Sequence, residues 1–215
     1  MRIQSENTQL TGAVGELEAV IDKPSEAANQ AYIAVCCHPH PQHGGAMGNK
    51  VIYTVSRALA GLGITSVRFN FRGVGKSQGE YADGIGEQDD LKAVVNWAKH
   101  QYPDRKLILC GFSFGAYITC QQATELNPTL LVSIAPPIGR IEFTGFNRPE
   151  CPWLVIQGDD DELVDASLVA KWSSDFLPPA KLIQMPATSH FFHGKIVELR
   201  TNIESFVSQQ LMLNN

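Results

Sequence analysis

The chain has 215 residues, 44% of them apolar and 18% charged, with a formal net charge of −5 and a pI near 5.7. This is enough apolar material for one substantial core, so residues 1–215 read as a single soluble globular domain. No basic run or stripe accompanies the negative charge, which argues against nucleic acid or an anionic membrane surface as a partner.

The opening stretch, MRIQSENTQLTG, lacks the apolar core of a signal peptide, and no segment reaches the roughly 18 to 20 apolar residues of a membrane span. A cytoplasmic protein without membrane attachment is expected. Its five cysteines, Cys36, Cys37, Cys110, Cys120 and Cys151, then read as reduced, with core packing as their role.

The first strand candidates are AVGELEAVI (13–21) and AYIAVCC (31–37). After them comes HPHPQHGGAMGNK, which carries His38, His40 and His43 in an H-x-H-x-x-H pattern. Such a pattern can hold zinc, but it lacks a fourth ligand, and the glycines, Met47 and Asn49 that follow suit a turn into a helix over about 47–61. No metal and no cofactor is expected.

The next strand, ITSVRF (64–69), leads into RFNFRGVGKSQG. GVGKS ends like a phosphate-binding loop, but the glycine that motif needs five positions before Gly75 is Asn70, so the loop is incomplete. A helix over 86–101 places Leu91, Val94, Val95 and Ala98 on one apolar face. The strand KLILC (106–110) then runs straight into GFSFG and a helix over 114–126. Beyond it lie the strands LLVSIA (130–135), WLVIQ (153–157) and AKLIQM (180–185), with helices at about 164–176 and 193–211. Near-continuous apolar strands alternating with helices indicate an α/β fold, with a mostly parallel sheet covered on both faces. Its ligand site belongs at the carboxyl ends of the strands.

Gly-x-Ser-x-Gly between a strand and a helix is a turn so tight that Ser113 must take a strained backbone conformation, with Gly111 and Gly115 where side chains would collide with neighbouring chain. A serine nucleophile needs a general base and a group to orient it. Two later strand ends offer these, GDDDELVD after WLVIQ and PATSHFFHG after AKLIQM, in the order Ser, Asp, His. GDDDELVD also suggests calcium superficially, but it lacks the glycine and distal glutamate spacing of such a loop.

On the HPHP..GG.M.NK loop, the GFSFG elbow, the HFF.G turn and RFNFRGVGKSQG, the sequence resembles the α/β-hydrolase superfamily, more narrowly a small cap-less bacterial group related to dienelactone hydrolases and small carboxylesterases. The resemblance covers about residues 12 to 211. It implies an α/β-hydrolase fold without a cap domain and a serine hydrolase. It makes Ser113 the nucleophile and His190 the base, with His193 near a helix start. It makes Asp161 the acid, three residues after Gly158, with Asp160 in reserve. It also puts the first oxyanion donor in the loop after AYIAVCC. Pro39 and Pro41 have no N–H, so His40 supplies the backbone donor, beside that of Phe114, and the imidazoles of His38 and His40 are secondary.

Only residues 136–151 separate LLVSIA from the next strand, too few for a helical cap, and Ile138, Ile141, Phe143 and Phe146 could wall one side of a pocket. The expected reaction is hydrolysis of a small-molecule carboxylic ester or thioester through an acyl-enzyme. A peptidase with the same triad and a non-catalytic binding protein on this fold stay open, as does a homodimer, for which the sequence locates no patch.

Overall fold

The computed structural model describes residues 3–25 and 30–213, so residues 1–2, 26–29 and 214–215 of the expected 1–215 domain lie outside the described residues. The chain runs β1 (Ile3–Thr11), β2 (Glu16–Pro24), β3 (Tyr32–Cys37), α1 (Lys50–Gly61), β4 (Thr65–Phe69), α2 (Ile85–Gln101), β5 (Lys106–Phe112) and α3 (Phe114–Leu126). It continues through β6 (Leu130–Ile134), β7 (Trp153–Gly158), α4 (Ala166–Ser174), β8 (Lys181–Met185) and α5 (Ile196–Leu213). The eight strands form one sheet in the order β1-β2-β4-β3-β5-β6-β7-β8. From β4 to β8 in that order neighbouring strands are parallel, while β2 is antiparallel to both β1 and β4.

Strands β3, β4, β6 and β7 are buried at every position. Their side chains alternate between two cores. Ile33, Val35 and Cys37 of β3 and Leu107 and Leu109 of β5 face Leu91, Val94 and Val95 of α2 and Ile118 of α3. Tyr32, Ala34 and Cys36, with Ile108, Cys110 and Phe112, face Val51, Ile52 and Val55 of α1 and Leu199 and Ile203 of α5. All five cysteines are buried and none is in a disulfide.

Strand β1 escapes the sequence reading. Most of its side chains are exposed, and only Leu10 is buried, so no apolar pattern marks it. It is held instead by a continuous backbone ladder to β2, from Ile3↔Pro24 to Thr11↔Glu16. The hairpin closes where the Gly12 N–H donates to the Gly15 carbonyl at 2.8 Å, with Gly15 at φ 141°.

The chain leaves β3 for β4 on one side, then crosses to β5 on the other. The loops from the carboxyl ends of β3 and β5 therefore open side by side where the winding reverses, the place a doubly wound sheet leaves for a ligand. Residues 135–152 link β6 to β7 without a helix, so among the described residues no helical cap is inserted at this edge. No helix among the described residues is long and apolar enough to cross a membrane.

Candidate active site

Ser113 stands between β5 and α3 at φ 52° and ψ −119°, a left-handed backbone that a non-glycine residue adopts only under constraint. The constraint is visible on both sides. The Ser113 N–H donates to the Ile134 carbonyl at 2.9 Å, and the Ala116 N–H returns to the Ser113 carbonyl at 2.8 Å. A β-carbon at Gly111 would meet the Gly115 backbone, and one at Gly115 would meet the carbonyls of Cys37 and His38. The two glycines thus let β5, α3 and the loop after β3 close on one another.

The ends of β7 and β8 bring two more groups to the same place. The Asp160 N–H donates to the Thr188 carbonyl at 3.2 Å, and a β-carbon at Gly158 would strike that carbonyl, so the two loops lie against each other. His190 Nε2 lies 3.1 Å from Ser113 Oγ and His190 Nδ1 lies 2.8 Å from Asp161 Oδ2. The structure therefore brings Ser113, His190 and Asp161 into one hydrogen-bonded line, while Asp159 and Asp160 are exposed and His193 is exposed before α5.

Asp161 Oδ1 accepts from the backbone N–H groups of Leu163 and Val164 at 2.9 and 2.8 Å, and Oδ2 also accepts from Gln157 Nε2 at 2.8 Å. Burial opposes its charged form, but the His190 bond and charge and the two backbone donors outweigh burial and hold its carboxyl below the usual range. The sequence reading missed two of the supports. Gln157 is one, and Glu162 is the other, its carboxylate accepting the His190 backbone N–H at 3.0 Å. Both stand within four residues of Asp161, in a segment whose many carboxylates hide which one does what.

The loop after β3 separates the three histidines. His38 is fully buried: Nε2 accepts the Phe71 N–H at 3.0 Å, which leaves the ring proton on Nδ1, 2.6 Å from the Pro39 carbonyl. Burial pushes its pKa down to about 4 against the raising effect of the Pro39 bond, so the ring is a neutral strut between the β3 and β4 loops. His40 Nδ1 accepts the Gln42 N–H at 3.2 Å, its Nε2 lies 3.3 Å from the Tyr81 hydroxyl, and its ring packs 4.9 Å from that of Phe114. His43 is exposed.

The His43 and Gly45 N–H groups both donate to the His40 carbonyl, at 3.1 and 3.0 Å, closing a tight turn. The His40 N–H donates to nothing among the described residues. Neither does the Phe114 N–H, which as the first amide of α3 precedes any intrahelical acceptor. Both residues line the cleft over Ser113.

That cleft has a volume of about 350 Å³ and is lined by Tyr81, Tyr117, Pro137, Ile141 and Val164 beside Ser113 and His190. Of the four residues expected to wall a pocket, only Ile141 does so. Phe143 and Phe146 pack into an aromatic cluster with Trp172, and Phe146 also meets Trp153 and Phe176. Ile138 packs on the core. Apolarity marked these residues, but Ile138, Phe143 and Phe146 pack against the core instead.

The chain is similar to known proteins over nearly its whole length. A family model described as serine aminopeptidase, S33, matches residues 41–144. The crystal structure of a Xanthomonas campestris α/β serine hydrolase without a lid is 46% identical, with a TM-score of 0.92 over 97% of this chain and 96% of that one. An α-β serine hydrolase homologue from Coxiella burnetii is 43% identical, with a TM-score of 0.89 over 93% and 96%. An uncharacterized protein of Rickettsia prowazekii is 34% identical in an alignment 210 positions long that covers 91% of this chain and 86% of that one.

Proposed function

Since the chain belongs to the α/β serine hydrolases that lack a lid, we propose that it cleaves a carboxylic ester or thioester through an acyl-enzyme on Ser113. The observation that carries this reading is the line from Ser113 Oγ through His190 to Asp161, at 3.1 and 2.8 Å. His190 Nδ1–H donates to Asp161, which fixes the tautomer and leaves Nε2 to accept the serine proton. As that proton moves to Nε2, Oγ attacks the acyl carbon. The bond to the leaving oxygen or sulfur then breaks, and the leaving group takes the proton from Nε2. Water repeats the sequence in reverse roles and releases the acid.

The N–H groups of His40 and Phe114 serve as the oxyanion donors in this proposal. Each preorganised donor is worth about 2.7 to 4 kcal/mol in the transition state, because it faces charge that develops only there. The absence of a lid and a cleft of about 350 Å³ suit short acyl groups. The substrate is a small molecule and the setting cytoplasmic, in keeping with the cysteines, all of which are buried and none in a disulfide.

The test is turnover of short-chain phenyl esters, thioesters and amino-acid anilides by the wild type and Ser113→Ala. Ester or thioester hydrolysis that disappears in the variant supports the reading. Hydrolysis of the anilides alone would make the protein a peptidase, and turnover that survives in Ser113→Ala would remove the serine from the mechanism.

A further inference from the structure

The space around Ser113 has two lobes. The one already described meets a second, of about 320 Å³, and both are bounded by His40, Ser113, His190 and Arg140. Their chemistry differs. The first lobe is walled by Tyr81, Tyr117, Pro137 and Ile141 and carries a carboxylate, Asp83. The second is bounded by Gly44, Gly45, Asn49 and Phe191, and no carboxylate lines it. Arg140 is the permanent positive charge common to both, and only in the first lobe does a carboxylate stand against it.

Arg140, like Arg57, stands outside the ion pairs that hold three other arginines, and of these two it is the one that borders the cleft. Arg68 and Arg72 are buried against Asp22 and Asp90, and Arg200 pairs with Glu204. The Arg140 guanidinium has no acceptor among the described residues, although it borders the reacting serine. Its place is set by a turn. The N–H groups of Arg140 and Ile141 both donate to the Pro137 carbonyl at 3.1 Å, with Gly139 at φ 79°. Asn49 adds a second donor to the lobe: its Oδ1 caps α1 by accepting the Val51 N–H at 2.9 Å, which leaves Nδ2 unpartnered among the described residues.

Resting on the hydrolase reading, we infer that the substrate is an ester bearing a carboxylate in one of its halves, held by Arg140 in the second lobe. An arginine fork matches a carboxylate in two parallel hydrogen bonds, so it selects geometry as well as charge. Asp83 in the first lobe repels an anion and directs the charged half away from it. The uncharged half then lies among Tyr81, Tyr117 and Ile141.

The test compares three esters: phenyl butyrate, the phenyl monoester of succinic acid, which is charged in the acyl half, and 4-carboxyphenyl butyrate, which is charged in the leaving half. Wild type should favour one of the two anionic esters in kcat/KM. That preference, taken as a ratio to phenyl butyrate, should fall about tenfold in Arg140→Gln and less in Arg140→Lys, as expected for loss of a charge-assisted bond. It should also shrink as salt is added. No preference for either anionic ester, or a preference that Arg140→Gln leaves intact, overturns the assignment. Failure of wild type to hydrolyse all three would instead strike the hydrolase reading on which the assignment depends.

Discussion

The buried His38 makes a quantitative demand on the stability of the fold. Its ring is fully buried, accepts the Phe71 N–H at Nε2 and has a pKa pushed down to about 4 from the ordinary 6.5. A protonated ring would lose that acceptor and carry an unpaired charge in the core. Because the folded-state pKa lies below the unfolded one, the unfolded chain binds the proton first. The contribution is complete above about pH 6.5 and is lost as the pH falls towards 4. Between pH 7.5 and 5 this one group should remove about 2 kcal/mol of folding free energy, and about 3 kcal/mol once both states are protonated. The carboxyls of Asp22 and Asp161 are held below 3.8, so their own losses fall mainly below this window. Urea titrations at the two pH values, on wild type and His38→Gln, isolate the effect. Wild type should lose about 2 kcal/mol more than the variant over that interval. Equal losses would mean that His38 is not a neutral strut between the two loops.

Three further outcomes follow from the site. Asp161→Asn should lower kcat by about 10⁴-fold through loss of the tautomer it fixes, whereas the exposed Asp160 should tolerate the same change within about twofold; the reverse ranking in steady-state kinetics would reassign the acid. Gly115→Ala places a β-carbon against the carbonyls of Cys37 and His38 and should cost roughly 1–3 kcal/mol by denaturation, with a parallel fall in activity; an unchanged midpoint would show that the β3 and β5 loops do not pack as described. His40→Ala keeps the backbone N–H, so its kcat/KM should fall by less than the 10²–10³-fold typical of a lost oxyanion donor; a loss as deep as that of Ser113→Ala would move the role to the imidazole.

Much of this arrangement is legible in the sequence because strong local constraints mark it. Continuous apolar strands announced a two-sided sheet, and β3, β4, β6 and β7 are buried throughout. Gly111 and Gly115 announced close approach, and each does lie against backbone. Asp161 followed from a family spacing rather than from its own chemistry, since the bonds that distinguish it from Asp160 come from Leu163, Val164 and Gln157. What stayed hidden depends on hydrogen bonds that no apolar pattern marks. Polar β1 exists by pairing with β2, helix α1 begins at Lys50 rather than 47 because Asn49 caps it, and the position of Arg140 is decided by a turn in an irregular loop. Phe143 and Phe146 show the limit of apolarity as a guide, because it marks burial without saying on which side of a loop the ring will lie.

The central claim is that Ser113 is an activated nucleophile, and covalent capture tests it without the natural substrate. Wild type, Ser113→Ala and His190→Ala would be incubated with a fluorophosphonate and weighed by intact-protein mass spectrometry, with the modified residue mapped by peptide analysis. One adduct per wild-type chain, confined to Ser113, absent from Ser113→Ala and strongly slowed in His190→Ala, is the predicted result. A folded wild type that takes up no probe, or an adduct that persists in Ser113→Ala, would contradict the account.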